Sequence, residues 1–327
     1  MKILVTGGAG FIGSHACKAL KAAGHEPVVL DNLRTGHAWA VKYGPFEHGD
    51  ILETARLAAL MKSHGIEGVM HFAALAYVGE SISHPDIYYQ TNVGGSLSLL
   101  NAMRLAGVDK IIFSSTCATF GNVSHHISEA DAQNPINPYG ASKLMIERVL
   151  QDYAAAYGIG CVALRYFNAA GSDPEGELGE IHEPETHLIP LTLFVAAGMR
   201  DRLNVFGTDY DTPDGTCVRD YIHVCDLADA HVAAIDVLET GVFKAFNLGN
   251  GNGFSVRQVI DRAEAITGRN IAWDASPRRA GDPPSLVADA TAAKAALGWN
   301  PRFPSLDDMI AHSWRFLTER RADLPAS

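Results

Sequence analysis

A doubly wound α/β fold, a parallel sheet covered by helices on both faces, is predicted by three features of the 327-residue chain. The first is an apolar run at residues 3–5 that passes through a glycine cluster into a helical stretch over 14–23. The second is the recurrence of short apolar runs at 26–31, 67–73, 110–115 and 161–167, with helical segments such as 88–105 and 140–156 between them. The third is a change of texture after Asn168, where glycine, proline and acidic residues crowd positions 171–190. Strand–helix units repeated in this way build parallel sheets, and ligands lie beyond the carboxyl ends of the strands.

The opening strand leads into Gly8-x-Gly10-x-x-Gly13, and a helix follows at once. Strand, glycine turn and helix in that order make the dinucleotide-binding fingerprint of a Rossmann-type sheet. Glycine is needed because the turn visits conformations a Cβ forbids, and because the backbone must touch a pyrophosphate. The helix N-terminus adds unpaired N–H donors and a positive dipole end. The second strand closes on Asp31. A carboxylate there accepts hydrogen bonds from the adenosine ribose and repels a 2′-phosphate, so NAD is expected rather than NADP.

The run at 67–73 ends in small residues, and the one at 110–115 leads into the hydroxyls of Ser114, Ser115 and Thr116. The next helix begins at Pro138-Tyr139-Gly-Ala-Ser-Lys143. Beyond the strand at 161–167 a smaller C-terminal α/β domain is expected. The division places a nucleotide-binding domain at 1–169 and a substrate domain at 170–327, with 219–247 returning to the first. A last helix over 307–321 has apolar residues at helical spacing and reads as a packing element.

Chemistry concentrates at two of these strand ends. Tyr139 and Lys143 stand four apart, on one face of a helix. A phenol titrating near pH 10 is a poor base in water, and a neighbouring ammonium or oxidised nicotinamide would lower that value. Tyr139 then becomes a proton acceptor for a sugar hydroxyl that loses hydride from the same carbon, with Thr116 bonded to the same oxygen.

Composition sets outer limits. The chain has room for one large or two moderate domains, and no apolar run spans a bilayer. It starts in its first strand without a basic and apolar leader, and a cytoplasmic setting is expected. A formal charge of −11 argues against nucleic acid, so an anionic ligand must be caught by local arginines. The five cysteines at 17, 117, 161, 217 and 225 are odd in number, scattered and contain no C-x-x-C, so neither disulfides nor zinc is expected. His125-His126 and the pair His182 and His187 are read as loop residues lacking a carboxylate-rich setting, so no metal is expected.

The chain resembles the extended short-chain dehydrogenase/reductases, and within them the NAD-dependent epimerase family of nucleotide-sugar 4-epimerases. The resemblance runs nearly end to end. It is carried by Val5-Thr-Gly-Gly-Ala-Gly-Phe-Ile-Gly-Ser-His15, Leu30-Asp-Asn-Leu33, His71-Phe-Ala-Ala74, Val78-Gly-Glu-Ser81, Ser114-Ser-Thr116 and Asn137-Pro-Tyr-Gly-Ala-Ser-Lys143. Leu164-Arg-Tyr-Phe-Asn168, Gly215-Thr-Cys-Val-Arg-Asp-Tyr-Ile-His-Val224 and Pro277-Arg-Arg-Ala-Gly-Asp282 continue it. The last two are the most specific to nucleotide-sugar epimerases.

The resemblance implies a UDP-sugar substrate, interconversion of UDP-galactose and UDP-glucose, and a homodimer, through helices near 88–105 and 140–156. Tyr139 would take the proton of the sugar 4-hydroxyl while hydride leaves C4 for NAD. Lys143 would tune that tyrosine and hold the nicotinamide ribose, and Thr116 would orient the sugar. The 4-keto sugar would turn over while tethered by UDP and regain hydride on its other face. Cofactor contacts are implied at Gly7, Gly10, Phe11, Ile12, Gly13, Asp31, Asn32, Asp50, Ile51, Phe72, Ala73, Ala74, Asn92, Ser114, Tyr139, Lys143 and Phe167. Substrate contacts are implied at Thr116, Tyr139, Asn168, His187, Leu188, Phe206, Arg219, Tyr221, Arg279 and Asp282. Arg219 and Arg279 would grip the diphosphate, since a guanidinium binds two oxygens at once.

Departures from the family pattern are few. Ala76 stands where many relatives place a lysine, His187 where they place asparagine, and Thr116 where serine is common. Leu286, four residues after Asp282, has an intermediate bulk that leans against N-acetyl sugars. Cys117 and Ala118 replace the Asp-Glu pair of 4,6-dehydratases, which speaks against elimination. Epimerisation of UDP-pentoses or UDP-uronates is an alternative on the same scaffold, and a non-catalytic NAD-sensing protein a more distant one.

Overall fold

In the computed structural model, which describes residues 1–123, 126–279 and 282–320, the early apolar runs form one seven-stranded parallel sheet. His125, Ala280, Gly281 and the end of the last expected helix lie outside the described residues. The chain first runs β1 (Lys2–Thr6), α1 (Phe11–Ala22), β2 (Glu26–Asp31), β3 (Phe46–His48), α2 (Thr54–His64), β4 (Gly68–His71), α3 (Val78–Ser83) and α4 (Pro85–Tyr88). It continues through α5 (Gly95–Ala106), β5 (Lys110–Thr116), α6 (Pro138–Tyr157), β6 (Gly160–Tyr166), β7 (Asn168–Ala170), α7 (Leu188–Ala196) and β8 (Leu203–Phe206). The remainder is β9 (Val218–Arg219), β10 (Tyr221–His223), α8 (Val224–Ala233), β11 (Phe243–Leu248), β12 (Phe254–Ser255), α9 (Val256–Thr267), β13 (Trp273–Ser276), β14 (Ser285–Leu286), α10 (Thr291–Leu297) and α11 (Leu306–Glu319).

The main sheet has the order β11-β6-β5-β4-β1-β2-β3, with Val5 between Val29 and Met70 in register. Alternation along its strands supplies two cores. Leu4, Val28, Val69, Ile111 and Phe113 pack on one face with Leu57, Leu99 and Ile146 from α2, α5 and α6. Ile3, Val5, Val29, Met70, Ile112 and Leu164 face the other way, onto Leu20, Leu227 and Ala293 from α1, α8 and α10. Burial on both sides is why these strands read as near-continuous apolar runs. A separate core joins Ile189 and Leu193 of α7, Leu203 and Val205 of β8, Val259 and Ile260 of α9, and Met309 and Ile310 of α11.

The helix expected over 88–105 is interrupted. A π-helical turn occupies Tyr89–Gly94 between α4 and α5. Its Asn92 is fully buried, accepts the Leu75 N–H (2.8 Å) and donates to the Leu75 carbonyl (3.0 Å) and Ser142 Oγ (3.0 Å). Those bonds anchor the wider turn, a distortion common near functional sites. Asp220 fixes the later chain. Its carboxylate accepts the N–H groups of Asn250 (2.8 Å), Gly251 (2.9 Å) and Ala288 (3.0 Å), and a Cβ on Gly249 would come within 2.4 Å of it.

Candidate active site

At the carboxyl end of β1 the backbone doubles back on itself. Gly7 has φ +73°, and a Cβ there would lie 2.6 Å from the Ala73 nitrogen. One on Gly13 would lie 2.2 Å from the Gly7 carbonyl oxygen. No side chain caps α1 and its first turn carries no acidic residue, leaving the N–H groups of Phe11 and Ile12 suited to an anion, while that of Gly10 closes the turn on the Gly7 carbonyl (3.1 Å). Asp31 closes β2 nearly buried, accepting N–H bonds from Ala9 (3.0 Å) and Leu33 (2.8 Å). Burial pushes its carboxyl above the ordinary range. Asn32 donates to Asp50 (2.8 Å), beside buried Ile51. Phe72 stacks near His231, and the Ala73 N–H is held by Thr6, with Ala74 next in line. A glycine turn packed so closely on its own backbone that a Cβ at Gly7 or Gly13 would collide with it, an uncapped helix and a carboxylate after β2 are the parts NAD requires, and these residues fit it. Asn92, one of the expected cofactor contacts, has both amide hydrogens engaged within the chain and ties the loop after β4 to α6.

The strand-end hydroxyls and the tyrosine–lysine pair come together where β5 meets α6. Asn137 caps α6 by accepting the Gly140 N–H (2.8 Å), and Pro138 starts it with φ already set. Lys143 is buried on that helix and donates to the Ser114 carbonyl (2.7 Å). Its Nζ lies 4.8 Å from the Phe113 ring centroid and 6.0 Å from that of Tyr139. Burial pulls Lys143 down to about 7, and nearby Glu147 opposes this. Burial raises the Tyr139 phenol, next-door Tyr166 adds to the rise, and a hydrogen bond from Thr116 opposes it. The expected lowering of Tyr139 by Lys143 is therefore not found in the chain alone. Among the groups around Tyr139, Thr116 is the one whose hydrogen bond favours phenolate.

Two supports of this centre escaped the sequence reading. Tyr166, at the end of β6, bonds Ser114 Oγ (2.5 Å). Beneath Lys143, Glu147 is fully buried and paired with Arg165 at 2.6 Å, while Ser115 and Gln133 satisfy its remaining lone pairs. Their signal was available only as charges at core positions.

Across the sheet end lie the residues expected to hold a substrate. Asn168 donates to the Asp220 carbonyl (2.7 Å), and Phe167 packs with Phe120. Arg219 pairs with Asp282 (2.5 Å), 63 positions away, and not with adjacent Asp220. Arg279 lies over Phe206 at 4.1 Å, so these two expected contacts are together. Tyr221 is buried in β10, and Leu188 opens α7. Leu286 of β14 stands in register with Arg219 and packs with Cys117 against the Phe120 cluster, while Ala76 is exposed.

The reading of His182 and His187 as loop residues without carboxylates is overturned. His187 Nδ1 stands 2.8 Å from Glu180 and 2.9 Å from Glu185, and His182 Nδ1 stands 3.1 Å from Glu180. The carboxylates come from the same irregular segment, where no periodicity marks which residues turn inward.

A model of the NAD dependent epimerase/dehydratase family matches residues 3–249. The UDP-glucose 4-epimerase of Halalkalibacterium halodurans is 50% identical over 98% of this chain and 96% of its own length. That of Rhizobium meliloti is 49% identical over 97% of both. Among solved structures, UDP-glucose 4-epimerase from Brucella ovis in complex with NAD has a TM-score of 0.93 at 52% identity, covering 96% of this chain and 98% of that one. The Bifidobacterium longum enzyme in complex with NAD+ and UDP has a TM-score of 0.93 at 38% identity, covering 98% and 99%. The chain belongs to the NAD dependent epimerase/dehydratase family.

Proposed function

We propose that the chain uses NAD to interconvert UDP-galactose and UDP-glucose by reversible oxidation at C4 of the sugar. The observation that carries this reading is the meeting of Thr116, Tyr139 and Lys143 where β5 meets α6, in a chain whose near-full-length relatives are UDP-glucose 4-epimerases. Gly7, Gly10 and Gly13 seat the cofactor diphosphate, Asp31 and Asn32 its ribose, and Asp50 with Ile51 the adenine. When bound, oxidised NAD supplies a hydride acceptor and a positive charge beside the phenol. Tyr139 takes the proton of the 4-hydroxyl and returns it, and Thr116 holds the same oxygen. Lys143, fastened to the Ser114 carbonyl, orients the nicotinamide ribose. Arg219, Arg279, Asn168 and Asp282 hold the UDP moiety, with Phe206, His187, Leu188 and Tyr221 around it. That grip, remote from C4, retains the oxidised sugar until it is reduced on its other face.

The division into a nucleotide-binding part (1–169, rejoined by 219–247) and a substrate part (170–327) belongs to this proposal. It is supported by β11 edging the main sheet and by the separate core of α7, α9 and α11. A homodimer is favoured by exposed Leu105, Met145 and Tyr157 on α5 and α6. Cytoplasmic residence accords with five free cysteines. Among the described residues no helix is long and apolar enough to cross a membrane.

The test is proton NMR of the purified protein with UDP-galactose and no added cofactor. Growth of a UDP-glucose signal to a constant ratio is the expected result. A flat spectrum both with and without added NAD refutes the hexose assignment. UDP-pentoses would then be next, because a Stenotrophomonas UDP-glucose-4-epimerase 40% identical to this chain was crystallised with formylated UDP-arabinopyranose.

A further inference from the structure

We propose that Glu180, His182, Glu185 and His187 bind one divalent transition-metal cation of the zinc class, outside the reacting centre. One ligand atom from each side chain lies within 4.8 Å of the others. A tetrahedral zinc with bonds near 2.1 Å holds its ligand atoms about 3.4 Å apart. With Glu180 Oε1, His182 Nδ1, His187 Nδ1 and Glu185 Oε2 as ligand atoms, the separations found are 2.8, 3.1 and 3.7 Å, on either side of that value; the 2.9 Å contact of His187 is to the other Glu185 oxygen.

Two observations separate this group from an ordinary acidic cluster. The side chains of Glu180 and Glu185 are only 6% and 4% exposed, and among the described residues their cationic partners are His182 and His187, whose rings these carboxylates hold protonated. Buried carboxylates need a countercharge. The nearby triad Asp173, Glu175 and Glu177 has a permanent one, the Lys18 ammonium 2.8, 2.5 and 3.0 Å from its members, whereas here it rests on two imidazole protons that a metal ion can displace. In addition, His182 Nδ1 and Glu185 Oε2 are buried and make no aligned hydrogen bond, His182 meeting Glu180 only as an ion pair at 3.1 Å, and they face each other at 3.7 Å. That gap is too long for a hydrogen bond and suits two atoms sharing one ion.

Two imidazole nitrogens with two carboxylate oxygens select zinc, cobalt or nickel over magnesium or calcium, which prefer oxygen alone. All four positions are filled from the protein, so the ion would be structural. It would fasten the segment ahead of α7 to the cofactor turn, because the His182 ring edges against Phe11 (6.4 Å) and Tyr77 (6.1 Å).

The experiment uses tag-free, NAD-containing protein stripped with a chelator, then equilibrated with zinc chloride and freed of excess. Elemental analysis is expected to return one zinc per chain, cobalt chloride a visible absorption of tetrahedral character, and magnesium chloride no retained metal. Glu185→Gln and the half-exposed His187→Gln are each expected to weaken zinc binding by about tenfold or more. Circular dichroism and retained NAD verify that each variant is folded. Substoichiometric zinc without a cobalt band overturns the proposal. So does unchanged zinc affinity in folded His187→Gln, which would place the metal elsewhere.

Discussion

Replacing Glu147 by glutamine should destabilise the protein far more than a typical point change. The carboxylate is fully buried on α6 and receives three bonds from Arg165, at 2.9, 3.2 and 2.6 Å, with a fourth from Ser115 at 2.5 Å. The amide neutralises one partner and leaves the Arg165 guanidinium, itself 5% exposed, without its counterion. Breaking a buried pair from one side costs about 3–5 kcal/mol. With an unfolding entropy of about 2.1 cal/mol/K per residue, a chain of this length shifts its midpoint by about 1.5 °C per kcal/mol, so a fall of ~4–7 °C is expected. Circular dichroism melting with saturating NAD reads this directly. The double variant Glu147→Leu with Arg165→Met should recover most of the loss, since apolar replacement of a whole buried pair is often near neutral. A fall of only ~1 °C in Glu147→Gln would refute the reasoning.

Other outcomes follow from the site. Tyr139→Phe should retain bound cofactor, read by absorbance, yet lose about 10²–10⁴ in turnover. Gly13→Ala places a methyl 2.2 Å from the Gly7 carbonyl oxygen. It should weaken NAD about tenfold or more, equivalent to ~1.4 kcal/mol, seen as cofactor lost during purification. Lys143 titrates near 7 when folded, well below its ordinary 10.5. Between those values the unfolded chain binds the extra proton, so the penalty present below pH 7 fades as pH rises and stability climbs. Urea midpoints of the NAD-free protein should show this climb, and Lys143→Met should flatten it.

What could be read from the sequence was local or periodic. The glycine turn, Asp31 and the hydroxyls ending β5 each lie within a few residues of a strand end, and Tyr139 and Lys143 stand four apart at the start of α6, where backbone geometry dictates the side-chain direction. The doubly buried strands announced themselves as apolar runs. Long-range pairings did not. Arg219 is joined to Asp282, 63 positions on, and Glu147 to Arg165 across two elements. The π-helical turn at Tyr89–Gly94 was hidden because it is anchored by tertiary bonds of Asn92 to Leu75 and Ser142, 17 and 50 positions away. The Glu180–His187 group lies in irregular backbone, where nothing in the order of residues reveals which side chains converge.

Asp220 has a consequence for exchanging parts between relatives. Its one carboxylate stitches the β9–β10 segment to the Gly249–Gly251 turn and to the chain just after β14. A graft that imports a foreign sugar-binding half with its seam cut between these points would strand three amide hydrogens at once. A viable chimera must inherit Asp220, Gly249 and Ala288 as one unit, so the seam sets where recombination can trade substrate range without loss of folding.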